Sequence, residues 1–117
     1  MDRNTIITIA KILINEVRQS HTISYGELAR AMGMERRVPA TRLAAPLGKL
    51  STICQYSDLP LISSIVINRQ TGMPGAGFYN EFFSGVDEAD WPDIFTNERN
   101  SVFANYNALT KLPSIIK

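Results

Sequence analysis

A single cysteine and a single histidine occur in 117 residues, and each scarcity removes a class of chemistry. Cys54 has no second cysteine to pair with, so an internal disulfide is excluded and the chain suits a reducing compartment. His21 has no Cys, Asp or Glu at ligand spacing, which argues against zinc. No apolar run approaches the roughly 18 residues that a membrane span needs. The first residues alternate charged with apolar side chains and lack a signal-peptide core, so a cytoplasmic location is expected. Charge of one sign is scarce too: the formal net charge is only +1, which by itself says nothing about an anionic partner.

The distribution of charge says more. Up to Asn80 nine basic side chains face five acidic ones, whereas from Glu81 onward three basic face six acidic. A basic body followed by an acidic segment is an asymmetry that the total conceals. The expected division is therefore a basic unit over residues 1–80 and an acidic, aromatic-containing extension over 81–117. The hydrophobic fraction of 44% is ample for a packed core in one small protein.

Residues Thr5 to Gln19 carry apolar side chains at Ile6, Ile9, Ala10, Leu13 and Val17, one helical stripe with Asn4 placed to cap it. Ser24-Tyr25-Gly26-Glu27 has capping-box spacing, with Ile23 and Leu28 positioned as a hydrophobic staple. Gly33 supplies a left-handed stop, so a short helix is expected from Tyr25 to Met32. After the basic loop Glu35-Arg36-Arg37-Val38, Pro39 suits a first helical turn. Leu43, Leu47, Leu50 and Cys54 then form a core-facing stripe. Pro46 interrupts that stripe and predicts either a kink or two abutting helices. Arg42, Ala45 and Lys49 lie on a different face. A short helix, a loop and a longer helix with an exposed basic face is the helix-turn-helix pattern.

From Leu61 to Asn68 isoleucine and valine dominate, which predicts a strand. Arg69 to Gly72 reads as a turn, and Met73 to Tyr79 as an irregular second arm. Such a hairpin is either a wing that tracks a groove or a tight structural turn. The rest carries Trp91, Phe95, Phe103 and Tyr106, with a helix expected from about Asn97 to Leu109. The expected architecture is α+β: a winged helix-turn-helix of three N-terminal helices and a β-hairpin wing, with a C-terminal helical extension packing back on it.

The run Ile23-Ser-Tyr-Gly-Glu-Leu-Ala29, then Ala40-Thr-Arg42, then the hairpin from Leu59-Pro60-Leu61 to Gly77, resembles the DNA-binding winged-helix domain of the O6-alkylguanine-DNA alkyltransferases and their alkyltransferase-like relatives. The resemblance covers residues 5 to 79. It implies that Tyr25 lies next to the DNA backbone of the target nucleotide, and that Arg42 enters the base stack where a nucleotide is extruded. The alkyl-transfer chemistry is not implied, because the family's Pro-Cys-His-Arg run corresponds to about Ser63-Ser64-Ile65-Val66 here. Ser64 near the nucleophile position has no adjoining histidine, and a serine without a base is a poor nucleophile at neutral pH.

The residue chemistry points the same way on two counts. A guanidinium on an exposed helix face suits phosphates or base edges, and first-turn N–H groups beside Tyr25 favour an anion. The expected nucleic-acid contacts are Tyr25, Arg36, Arg37, Arg42, Lys49 and Arg69, with duplex DNA as the partner and roles in DNA repair, regulation or phage defence. Alternatives remain for each: Tyr25 as a core aromatic beside Leu28, and the cations as solvated charges. Cys54 on the apolar stripe reads as a small buried hydrophobe. The Gly75-Ala76-Gly77 run lacks the strand-glycine-helix context of a nucleotide fold. Asp87, Glu88, Asp90 and Asp93 follow no calcium-loop spacing. No catalytic residue, metal or cofactor is expected. The competing function is a small inhibitor, immunity or anti-defence protein that binds a protein partner through its acidic, aromatic C-terminal segment.

Overall fold

The computed structural model describes residues 3–34 and 41–116. Helix α1, Arg3–Arg18, buries the expected stripe of Ile6, Ile9, Ala10, Leu13 and Val17. It begins one residue before Asn4, which therefore sits in the first turn rather than at the cap. The chain then enters strand β1, Ile23–Ser24, and passes directly into helix α2, Tyr25–Ala31. Both arms of the capping box are made: Glu27 N donates to Ser24 Oγ at 3.1 Å, and Ser24 N donates to Glu27 Oε1 at 3.2 Å. Gly33 takes the left-handed φ of 76° that ends this helix, as its lack of a Cβ permits.

Helix α3, Thr41–Tyr56, runs through Pro46 as one helix, not as the two abutting helices that were one of the two expectations. Leu43, Leu47, Leu50 and Cys54 face inward as their spacing requires. The Ile/Val-rich segment that follows departs most from expectation. Ile62–Ile65 forms one 3-10 turn, and only Val66–Ile67 is strand, β2. The reason lies in where the backbone donors go. Leu61 N donates to Glu98 Oε1 at 2.8 Å, and Ser63 N donates to Ser51 Oγ at 3.2 Å. Side chains from distant helices take the bonds that a longer strand would have given to a neighbour.

Strand β2 pairs with β1 in parallel, Ile23 opposite Val66 and Ser24 opposite Ile67. The expected wing is not built as a β-hairpin among the described residues. The chain does reverse after β2, with Asn68 N donating to Met73 O and Gly72 N donating to Asn68 O, both at 2.8 Å. The second arm is helix α4, Ala76–Phe82, instead of a strand. Phe78 and Tyr79 bury on one side of it beside Leu61 and Phe95, a helical solution to burying adjacent aromatics. The fold is thus mostly helical with one small parallel sheet.

The C-terminal segment forms α5, Trp91–Ala104, α6, Tyr106–Leu109, and α7, Leu112–Ile115. The single helix expected over 97–109 begins earlier and breaks at Asn105. Val102, Leu109, Leu112 and Ile116 join the same core cluster as the α1 and α3 stripes, with Phe103 and Tyr106 packed against it. Position 80, where composition changes, lies inside α4. No helix among the described residues is long and apolar enough to cross a membrane.

Candidate nucleic-acid interface

The outward face of α3 is set by the residues that its core stripe leaves over. Arg42 and Lys49 are both exposed and stand seven residues apart, so they share one face about 10 Å apart along the axis. The exposed Ala45 lies between them and leaves the face low. Neither cation forms an ion pair or hydrogen bond among the described residues. Tyr56, seven residues beyond Lys49, continues the face and is 87% exposed. Sequence reasoning missed Tyr56, although the same seven-residue step from Arg42 through Lys49 reaches it.

The other expected contacts are placed differently. Arg36 and Arg37 lie outside the described residues. Arg69 is exposed and sits 3.7 Å from Glu27 in a solvent-facing ion pair, a contact that is easily exchanged for another anion. The Ser24 hydrogen bonds hold the Glu27 carboxyl below its ordinary range, with Arg69 and Arg30 adding smaller pulls in that direction. Tyr25 is half-buried at the start of α2, and its hydroxyl accepts from Gly75 N at 3.0 Å. It packs against the main core as the structural alternative required, yet its hydroxyl remains at the wall of a cleft.

That cleft encloses about 310 Å³. Ala44, Leu47 and Gly48 of α3 form one wall, and Phe78, Glu81 and Phe82 of α4 another. Tyr25, Ser63 and Asn68 add polar atoms to the lining. Asn68 Oδ1 accepts from Gln70 N at 2.8 Å, and Ser63 Oγ is bonded to Ser51 Oγ at 2.5 Å. Glu81 was not singled out in the sequence, because its approach to α3 joins positions that no local pattern connects.

The groups bearing on catalysis are also located. Ser64 is fully buried and its Oγ has no hydrogen-bond partner among the described residues. Cys54 is fully buried, and burial pushes its thiol up to about 11, the protonated and unreactive state at neutral pH. Tyr79 is sealed as well and stacks on Trp91 with ring centroids 4.2 Å apart. Burial first, then Tyr25, pushes the Tyr79 phenol up to about 12. His21 lies 3.7 Å from Glu16 at the surface. No cluster of three or more metal-ligating side chains occurs among the described residues. In the Gly75-Ala76-Gly77 run, Gly75 is the N-cap of α4 and Ala76 and Gly77 lie in its first turn, well separated from β2, and the Gly75 N–H is already given to Tyr25.

Comparison with known proteins adds no relative: no family model, no curated protein and no solved structure matches the chain.

Proposed function

We propose that this protein binds nucleic acid, as a non-catalytic module, through the outward face of α3. The observation that carries the reading is the pair Arg42 and Lys49: both exposed, on one helical face, and without an acidic partner among the described residues. Unneutralised cations at that spacing meet successive phosphates of a polyanion and release its counterions. Tyr56 extends the face with a ring that can stack on a base and a hydroxyl that can reach a phosphate. Arg69 lies in the turn that follows β2 as a secondary contact, available once Glu27 lets it go. The likeness of Tyr25 and Arg42 to alkyltransferase positions supports duplex DNA as the partner.

The protein-partner alternative rests on the acidic, aromatic C-terminal segment. Those aromatics are largely spent internally, with Phe95 buried, Trp91 stacked on Tyr79, and Phe103 and Tyr106 packed on the core. Fluorescence anisotropy with a labelled duplex, repeated from low to physiological salt, tests the reading. Binding that weakens linearly on a log-log plot is expected; absence of binding at low salt contradicts it.

A further inference from the structure

The cleft between α3 and α4 has a chemical character unlike that of the basic face beside it. Its walls are apolar at Leu47, Phe78 and Phe82, and Glu81 is the one acid among its lining residues. The Glu81 carboxylate makes no hydrogen bond or ion pair among the described residues. It is nevertheless placed closely against α3: a Cβ added at Gly48 would stand 2.8 Å from its Oε2 and 3.2 Å from its Oε1. Glu81 is an exposed residue, so a side chain at position 48 would oblige the flexible end of Glu81 to shift away from α3.

The other polar side chains of the lining are neutral. Tyr25 Oη and Asn68 Oδ1 each already receive a backbone N–H, so neither brings a positive charge to Glu81. An ionised carboxylate can only accept hydrogen bonds, and it pairs most strongly with a planar, charged, two-pronged donor. The volume of about 310 Å³ is near the lower end for small-ligand clefts, enough for one ring with a polar head.

We infer that this cleft binds a small planar compound bearing an amidinium or protonated amine, with the ring between the α3 and α4 walls and the cation on Glu81. This site is separate from the proposed polyanion face and does not rest on it. A phosphate-bearing ligand is disfavoured by the same carboxylate.

Benzamidine is a suitable probe, and benzamide its neutral counterpart of equal shape. Isothermal titration of the full chain, without nucleic acid, should show saturable benzamidine binding with Kd on the order of 1 mM or tighter. Benzamide should bind at least about tenfold more weakly, and Glu81→Gln should weaken benzamidine by about tenfold or more, the range of a charge-assisted hydrogen bond. Gly48→Ala serves as the second variant: it displaces the carboxylate and should also weaken benzamidine, with the circular dichroism of the wild type retained. Benzamidine-induced NMR shifts should centre on Leu47, Phe78 and Glu81. No saturable binding, equal affinity for benzamide, indifference to Glu81→Gln, or shifts centred elsewhere would each overturn the inference.

Discussion

The two sides of α3 are built from one helix yet obey different rules. Inward, Leu43, Leu47, Leu50 and Cys54 are almost wholly removed from solvent and belong to the main core, where α3 packs on α1 and the 3-10 turn. Outward, Arg42, Lys49 and Tyr56 touch little of the protein and contribute little to its folding. Stability is therefore concentrated on one side, while the other is left open to solvent. Residues on the outward side can change without unfolding the protein, which makes their effect on binding cleanly measurable.

The comparison breaks most severely if the inward side yields. Leu50→Ala leaves a cavity in a fully buried site and should cost about 2–5 kcal/mol, read from the denaturant midpoint and slope. A loss below about 1 kcal/mol would show that the inward side is not packed as described. The next largest effect falls where β1 passes into α2. Ser24→Ala removes the capping hydroxyl and should cost about 1 kcal/mol in the same measurement.

Two pH effects sharpen the contrast. The carboxyl of Glu27 is held below its ordinary range, so its contribution is present above the unfolded pKa and fades as pH falls through the lower folded value. Wild type should accordingly lose more stability in mild acid than Glu27→Gln does. The Cys54 thiol is raised to about 11, so its contribution is full below an ordinary thiol pKa and declines as pH rises toward 11. A thiol-reactive dye at pH 8 should label Cys54 only as the protein unfolds; rapid labelling of the native state would contradict its burial. The smallest stability effect belongs to the outward side, where Arg42→Ala and Lys49→Ala should each stay within about 0.5 kcal/mol of wild type.

What was legible in the sequence is what neighbouring residues decide. The α1 stripe and the Ser24–Glu27 box involve residues within a few turns of one another, and both appear as read. The exposed face carrying Arg42 and Lys49 also followed, since the core stripe fixes the opposite side of the same helix. The segment after Leu61 was misread for the converse reason. Its β-branched residues favour a strand, but Ser51 and Glu98, far away in the chain, capture its backbone donors. The hairpin failed at Phe78–Tyr79, whose burial beside Trp91 and Phe95 depends on a later helix. The cleft was hidden altogether, because Tyr25–Gly75 and Gly48–Glu81 are contacts across the fold.

The most direct test of the polyanion reading is the salt dependence of duplex binding by the Arg42→Ala, Lys49→Ala double variant against wild type. Each lost phosphate contact removes about 0.9 from the slope of log affinity against log salt, so the double variant should be shallower by about 2. A folded double variant with the wild-type slope and affinity would show that the outward face of α3 does not meet the phosphates.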